Sequence, residues 1–264
     1  MSGIITSPKN SKVKLVRSLQ GRRRNRQSEG VFIAEGVRLI EEAASVHWPM
    51  EFVLFDETLS ERGTALITAL QSDPDIQVLN ITARLMAEIS ETDTPQGILA
   101  VVKQQVLALP QSPTFILIAD QIRDPGNMGT ILRTAEAAGA DGVLLSPGTV
   151  DAFSPKVVRA GMGAHFHLPI LRLPWEDIHT YLKGLPVFLA ESEGGTPLWE
   201  ADLRQPCALL IGGEAFGAST LGEEIATKRL TIPMQGRAES LNAAVAAGIM
   251  IAEVLRQRYQ DSKE

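Results

Sequence analysis

Three polar segments of this sequence combine glycine with amide, hydroxyl and charged side chains directly after runs of apolar residues. A parallel α/β sheet binds its ligands where strands end and helices begin, so these segments are the first candidates for a site. The first has the pattern Asn-x-Gly-x-x-x-Arg, from Asn127 through Gly129 to Arg133. Asn127 is placed to cap a helix, and Arg133, in the second turn, could face a ligand above the loop. A plain cap and a surface charge would give the same pattern.

The second segment covers residues 211–219. It is not a P-loop, because Ala218 stands where that motif requires lysine, and its glycines lack the spacing of the dinucleotide-binding fingerprint. Glycines beside a single carboxylate, without a cation, favour a cofactor that lacks phosphates. A turn in which glycine meets only a steric need is the alternative. The residues concerned are Gly212, Gly213, Glu214 and Gly217.

The third segment, residues 232–242, leads into an alanine-rich stretch. Ser240 or Asn242 can cap the helix predicted there, and the positive end of that helix can stabilise developing negative charge. A cap alone explains one of these two residues. It does not explain both of them together with the Pro-Met pair and the glycine upstream.

Charge is distributed unevenly along the chain. The net charge is −6, but residues 1–38 hold nine basic and two acidic residues, so they carry +7 and the remainder carries −13. A local basic cluster can bind phosphates whatever the overall charge, because salt screens each charge beyond roughly 10 Å. A solvated basic loop is the alternative, and helix signals that begin at Ser7 argue against a removable transit peptide. The densest basic residues are Arg22, Arg23, Arg24 and Arg26.

Composition excludes several classes of protein. No run of 18 or more apolar residues exists, so we expect no membrane helix. The single cysteine, Cys207, cannot form an intramolecular disulfide, which is typical of a soluble cytoplasmic protein. His165 and His167 alternate as strand residues would, but without a carboxylate or cysteine partner they do not predict a metal site.

The elements that must position these segments alternate between strands and helices. Apolar runs and helical spacing predict strands at residues 31–34, 51–55, 76–79, 97–102, 115–119, 142–145, 187–190, 208–211 and 230–232. Capping residues and periodicity predict helices at residues 8–20, 37–44, 61–71, 82–89, 127–138 and 243–258.

The proline-containing residues 107–113 are the candidate linker between two domains. We therefore predict an α/β domain over residues 1–106 and another over residues 114–264. Short strands that alternate with helices predict a mainly parallel sheet covered on both faces.

Taken together, the three segments resemble the three motifs of the SpoU (TrmH-like) family of RNA 2′-O-ribose methyltransferases, in the SPOUT superfamily. They occur in the family's order, and the resemblance runs from Phe115 to the C-terminus. Residues 32–36 (Phe-Ile-Ala-Glu-Gly) and 94–97 (Thr-Pro-Gln-Gly) are similar to the family's substrate-binding domain, which is similar to a ribosomal RNA-binding protein. One departure concerns Glu214, where Gly213 precedes and Ala215 follows instead of the family's usual Asn or Ala and Gly.

The resemblance implies a trefoil-knotted α/β methylase domain that dimerises and binds S-adenosylmethionine, with a smaller N-terminal RNA-binding domain. It implies structured RNA as substrate, with 23S ribosomal RNA first and transfer RNA second, and the basic run as its phosphate contacts. Catalytic positions would be Arg133, Asn127, Glu214, Ser240 and Asn242. Cofactor-binding positions would be Gly212, Gly213, Gly217, Ile232, Met234 and Leu241.

Methyl transfer to a ribose requires removal of the proton from a weakly acidic hydroxyl. Arg133 is a poor base, because a guanidinium stays protonated in proteins. We hypothesise that it orients the nucleotide's phosphate and stabilises the forming alkoxide, while a phosphate oxygen, Glu214 or water takes the proton. The family's proposed base role for the arginine is the alternative. Two rival functions are a non-catalytic RNA-binding or ribosome-assembly protein on the same fold and an oxidoreductase, which the failed dinucleotide fingerprint disfavours.

Overall fold

The computed structural model describes residues 3–237 and 239–261, which form two compact units. The first contains the residues up to Gln105 together with Phe153–Phe166, and the second contains Val106–Ala152 and the residues from His167 onward. Residues 153–166, which the sequence analysis placed in the second domain, pack within the first unit.

The strands and helices are numbered in chain order. The strands are β1 Val31–Glu35, β2 Met50–Phe55, β3 Gln77–Asn80, β4 Ile98–Lys103, β5 Phe115–Asp120, β6 Gly142–Leu145, β7 Ile170–Arg172, β8 Val187–Glu191, β9 Thr196–Pro197, β10 Cys207–Gly212 and β11 Lys228–Thr231. The helices are α1 Ser11–Gln20, α2 Arg23–Glu29, α3 Val37–Ser45, α4 Glu61–Gln71, α5 Ala83–Ile89, α6 Pro125–Ala137, α7 Pro155–Gly161, α8 Trp175–Tyr181, α9 Thr220–Ile225 and α10 Ala243–Asp261.

The first unit is built on a four-stranded sheet with the order β1-β4-β2-β3. Strand β4 is antiparallel to both neighbours, and β3 is parallel to β2. Helix α1 buries Val13, Val16 and Leu19, which lie three residues apart on one face, in the core against the sheet. The helix starts later than predicted, because the side chain of Asn10 accepts the amide hydrogen bond of Lys12 and so forms the N-cap.

The basic run is a second short helix, α2, and not a loop. Arg22 and Arg24 are exposed and Arg23 is half-buried, whereas Arg26 is only 3% exposed. The guanidinium of Arg26 donates to the carbonyl oxygens of Leu19 and Gly21. Arg26 therefore stabilises the end of α1, and its prediction as an exposed phosphate contact is wrong.

Aromatic packing attaches Phe153–Phe166 to the first unit. The ring of Phe32 on β1 lies 5.3 Å from that of Phe153 and 6.1 Å from that of Phe166, measured between ring centroids. Phe166 also meets Trp48 at 5.3 Å, edge to face. His165 lies in a 3-10 turn over Ala164–Phe166, so its prediction as a strand residue is wrong. In the described part of the chain no group of three or more potential metal ligands comes together.

The second unit contains a seven-stranded sheet with the order β7-β6-β5-β10-β8-β11-β9. Every neighbouring pair is parallel, which confirms the predicted α/β sheet. Because β10 lies between β5 and β8, the first and second motif segments leave the sheet from adjacent strands at the same edge. No helix among the described residues has both the length and the apolar composition to cross a bilayer.

Candidate active site

The loop after β10 closes on itself through its glycines. Gly213 and Gly217 exchange two backbone hydrogen bonds of 2.9 and 3.0 Å, and Gly217 has a positive φ of 69°. A Cβ at Gly212 would lie 2.4 Å from the Ala218 amide nitrogen, and one at Gly213 would lie 2.5 Å from the Gln121 carbonyl oxygen. Glycine is therefore required at both positions for the loop to approach its own backbone and the loop after β5.

A buried carboxylate at the end of β5 holds this loop in place through hydrogen bonds. Asp120, at the end of β5, has no exposed surface. Its Oδ1 accepts from the Ser146 hydroxyl at 2.6 Å, and its Oδ2 accepts from the Ser219 amide at 2.6 Å. Asp120 thus connects the ends of β5 and β6 to the loop after β10. Sequence reasoning missed this residue, although a lone aspartate that ends an apolar strand is a visible signal.

The first and third motif segments are joined to the second by a chain of side-chain hydrogen bonds. Asn242 Nδ2 donates to Asn127 Oδ1 at 2.9 Å, and Asn127 Nδ2 donates to Glu214 Oε1 at 2.8 Å. Asn242 Oδ1 accepts from the Ala244 amide at 2.9 Å and so caps α10. The three segments predicted to carry chemistry therefore meet at one place.

Two details of the first segment differ from the sequence prediction. Asp124, and not Asn127, caps α6: its Oδ1 accepts from the Asn127 amide at 2.8 Å, and Pro125 is the first helical residue. The amide side chain of Asn127 can therefore bond across the loops. Because α6 starts at Pro125, Arg133 lies in its third turn and not its second; it is exposed, and the described residues offer its side chain no hydrogen bond or ion pair.

The second and third motif segments, together with the end of β8 and the start of α10, line a cleft of about 360 Å³, called here the motif cleft. Of the described residues, three glutamates and no lysine or arginine contribute to its walls. Five of the predicted cofactor residues and two of the predicted catalytic residues line this cleft. The predicted cofactor residue Gly213 does not line it, and neither do the predicted catalytic residues Asn127, Asn242 and Arg133. The lining includes Glu191, Gly212, Glu214, Gly217, Ile232, Met234, Glu239, Ser240, Leu241 and Met250.

A second cleft of about 400 Å³ lies on the other side of the Gly213–Gly217 turn and is called the Phe216 cleft. Arg123, Asp124 and Gly213 contribute to its lining. The ring of Phe216 is 83% exposed, which is unusual for a phenylalanine. This cleft therefore offers a cation and an unburied aromatic ring beside the motif cleft.

Opposing effects act on the pKa of Glu214. Burial raises the pKa of its carboxyl, but hydrogen bonds from the Asn127 side chain and from backbone amides, including that of Arg123, outweigh the burial. The pKa is consequently held below its usual value of 4.5. Glu214 is ionised at neutral pH and is a weak base.

The chemistry of the motif cleft is selective. Its volume is in the range of small-molecule sites, roughly 300–1,000 Å³. Apolar side chains such as Leu241 and Met250 suit an aromatic ring. Glu191 is paired with Arg229, so the carboxylates that favour positive charge in a ligand are those of Glu214 and Glu239. A phosphate would meet no cation in this lining. The cleft is therefore suited to a small, partly apolar molecule that carries positive charge and no phosphate.

Both parts of the chain match known families. Residues 114–252 match the model of the SpoU rRNA Methylase family, and residues 10–100 match that of the MRM3-like substrate binding domain. The chain is 36% identical over 254 residues to the 23S rRNA (guanosine(2553)-2′-O)-methyltransferase RlmP of Bacillus subtilis, covering 94% of this chain and 97% of that protein. It is 32% identical over 270 residues to the 23S rRNA (uridine(2479)-2′-O)-methyltransferase of Streptomyces viridochromogenes, covering 96% and 92%.

Solved structures with the same architecture include two that contain S-adenosylmethionine. The AdoMet-bound rRNA methyltransferase from Sinorhizobium meliloti superposes with a TM-score of 0.85 at 31% identity, covering 96% of this chain and 97% of that chain. The SpoU methyltransferase AviRb from Streptomyces viridochromogenes, in complex with AdoMet, gives 0.86 at 30%, covering 95% and 99%. The predicted fold and methyltransferase class are confirmed. The chain belongs to the SpoU rRNA methylase family.

Proposed function

We propose that this protein transfers the methyl group of S-adenosylmethionine to a ribose 2′-hydroxyl of 23S ribosomal RNA. The observation that carries the proposal is the motif cleft, in which the second and third motif segments bring together main-chain groups, apolar side chains and carboxylates, with no lysine or arginine among the described lining residues. The ribosomal RNA methyltransferases named above, which match nearly the whole chain, support the substrate class.

The residues of the motif cleft fit S-adenosylmethionine. This molecule has an adenine ring, no phosphate, and positive charges on its sulfur and its amino group. The apolar walls suit the ring, and the carboxylates of Glu214 and Glu239 suit the positive charges. The carboxylate of Glu191 is paired with Arg229, with 2.5 Å between Oε1 and Nη1. We assign its binding to Gly212, Gly217, Ile232, Met234 and Leu241, while Gly213 supports the loop from the other side. When bound, S-adenosylmethionine supplies an electrophilic methyl group.

The protein's own side chains then have distinct roles. Arg133 is exposed and permanently protonated, so it orients the phosphate of the target nucleotide and stabilises the alkoxide that forms on the ribose. Glu214 is a weak base and acts as a positioning residue that holds Asn127. The proton of the hydroxyl therefore passes to a phosphate oxygen or to water. Ser240, which lines the cleft, aligns the ribose.

The target nucleotide binds in the Phe216 cleft. Unstacked RNA bases stack on aromatic side chains, and Phe216 presents an exposed ring. The exposed side chain of Arg123 pairs with a phosphate at the same cleft. The nucleotide thereby lies next to the motif cleft, separated from it only by the Gly213–Gly217 turn.

Two further assignments accompany this function. Two copies of the chain associate as a homodimer, an arrangement supported by three exposed apolar side chains on α10: Val245, Leu255 and Tyr259, which are 51%, 41% and 63% exposed. The bacterial 23S ribosomal RNA methyltransferases that match nearly the whole chain support a cytoplasmic location. The molar mass in solution, measured by light scattering, tests the dimer directly.

Calorimetric titration with S-adenosylmethionine, followed by mapping of 2′-O-methyl groups, tests the proposed reaction. We expect saturable binding, and loss of one 2′-O-methyl group from 23S ribosomal RNA in cells that lack the protein. A methyl group lost from transfer RNA instead would redirect the substrate assignment. No heat on titration, together with unchanged RNA methylation, would identify a non-catalytic RNA-binding protein.

A further inference from the structure

The first unit contains a cleft of about 580 Å³, called here the Arg159 cleft. Two stretches that are distant in sequence meet there: the Glu35-Gly36 turn after β1 and residues 92–96 before β4. They are joined by a hydrogen bond of 2.9 Å from the Val37 amide to Gln96 Oε1. The two stretches that resemble a substrate-binding domain therefore form one surface.

Three arginines, Arg38, Arg62 and Arg159, contribute to the walls of this cleft. Arg62 is paired with Glu41, with 2.7 Å between Nε and Oε1. Arg38 is exposed, and no ion pair of its side chain occurs within residues 3–237 and 239–261. The cleft therefore has at least one cation whose charge is not neutralised by the protein.

Arg159 is partly open to the cleft. Its side chain is 34% exposed, while its Nη1 is buried and lies 3.9 Å from Glu35 Oε2, beyond hydrogen-bond distance. The Glu35 carboxylate already accepts from Ser90 Oγ, from Thr92 Oγ1 at 2.7 Å and from the Glu91 amide at 3.3 Å. Glu35 therefore compensates the charge of Arg159 only in part, and the exposed part of the Arg159 side chain can meet an anion in the cleft.

The N-terminus of α3 adds a positive electrostatic potential that favours an anion in the cleft. Gly36, with φ of 104°, precedes this nine-residue helix, and Gly36, Val37, Arg38 and Leu39 all line the cleft. The Val37 amide is already bonded to Gln96 Oε1. The positive end of a helix attracts anions, and the arginines act in the same direction. Anion binding here is thus supported by the helix, by Arg38 and by the partly exposed charge of Arg159.

We propose that the Arg159 cleft binds the sugar-phosphate backbone of the RNA substrate, with Arg38 and Arg159 as phosphate contacts. This inference rests on the proposed function, since it assigns a contact surface to the same RNA. Hydroxyl and amide side chains in the lining, such as Thr94 and Gln96, suit sugar and phosphate oxygens.

The substrate-binding part of the molecule includes residues outside the range 10–100. Arg159 and Met162 come from Phe153–Phe166, inside the sequence range that matches the methylase family, yet they line a cleft of the first unit. The range that matches the substrate binding domain, residues 10–100, therefore lacks part of its own site. A segment from the sequence range that matches the methylase family therefore supplies a substrate contact within the first unit.

The test uses the full-length protein and unmethylated 23S ribosomal RNA from cells that lack it. Arg38→Ala and Arg159→Gln are compared with Arg84→Ala, which removes a 91% exposed arginine on α5 outside the cleft. We expect roughly tenfold weaker RNA binding for each cleft variant. The slope of log K against log salt should fall by roughly 0.7–0.9 for each lost contact, with no change for Arg84→Ala. Affinity for S-adenosylmethionine and the turnover number at saturating RNA should stay at wild-type values.

The outcomes separate this inference from the proposed function. A wild-type salt slope in Arg38→Ala overturns the cleft assignment, and one in folded Arg159→Gln overturns the contribution of Phe153–Phe166. If Arg159→Gln does not fold, Arg159→Lys replaces it. A wild-type slope of log K against log salt, together with a KM for RNA that is raised several-fold, then supports the contact. An unchanged KM overturns it. If the wild type ignores S-adenosylmethionine while the slopes still change as expected, the reaction is wrong and the RNA-binding cleft stands.

Discussion

At the scale of single residues, Glu214 determines how the motif cleft responds to pH. Its pKa is lowered from 4.5, so its contribution to stability is present above about pH 4.5 and is lost as pH falls through the lowered value. Glu214→Gln should therefore have a lower melting temperature than the wild type at pH 7, by no more than about 2 °C because the group is largely exposed. The difference should shrink as the pH falls below 4.5 and the carboxyl becomes protonated. Scanning calorimetry at pH 7 and at a series of lower pH values checks this, and a difference that grows on acidification would contradict the hydrogen-bond assignment.

Phe216 allows a test of substrate contact that does not disturb the fold. Its ring is 83% exposed, so Phe216→Ala should not change the melting temperature. Loss of base stacking, worth roughly 1–3 kcal/mol, should raise the KM for RNA by about tenfold or more. Phe216→Tyr retains a ring and should behave as the wild type. Steady-state kinetics with equal KM values for the alanine and tyrosine variants would exclude stacking.

The sequence predicted the types of residue in the site better than their individual roles. Asn127, Glu214 and Asn242 do come together, as the three motifs indicate, but Asp124 takes the capping role assigned to Asn127. Both residues are good caps, and spacing alone cannot choose between them. Arg26 fails as a phosphate contact for a related reason, since a run of arginines does not reveal which one turns inward.

At the scale of elements, Asp120 is the residue that joins the strand ends beneath the site. Asp120→Asn would place an amide nitrogen against the Ser219 amide or disturb the bond from Ser146, leaving a buried polar group poorly paired. We expect a loss of about 1–3 kcal/mol in the free energy of unfolding and weaker S-adenosylmethionine binding, because the loop after β10 loses its anchor. Asp124→Asn is the matched control, since asparagine caps a helix as well as aspartate does. Urea denaturation and calorimetry measure both effects, and equal stability of the two variants would rule out the anchor.

Some elements were predicted to the residue and others were not predicted at all. Helix α4, with a helical apolar period, and strand β6, a continuous apolar run, begin and end where the sequence pattern places them. By contrast, β7, β9 and α9 contain three, two and six residues, too few to show a period. Their positions depend on contacts with neighbouring strands, which a single sequence does not display.

At the scale of the whole molecule, the assignment of Phe153–Phe166 could not be made from the sequence. The segment lies between β6 and β7, and nothing in its pattern indicates packing against residues more than 100 positions away. The linker at residues 107–113 suggested one crossing between domains, whereas the chain passes from the second unit to the first and back. Contacts between aromatic rings hold this segment in the first unit, and such contacts leave no periodic pattern in the sequence.

This exchange of a segment predicts how stability is distributed between the two units. Phe166 is 3% exposed and packs against Phe32 and Trp48, so Phe166→Ala should cost about 3–5 kcal/mol. Because its partners lie in the first unit, hydrogen exchange should accelerate in β1 and β4, while β5 and β10 keep their protection. Phe216→Ala, which removes an exposed ring, should leave both sheets unchanged. If Phe166→Ala instead accelerated exchange only in β5 and β10, residues 153–166 would belong energetically to the methylase unit, and Arg159 could no longer be counted as part of the first unit's RNA surface.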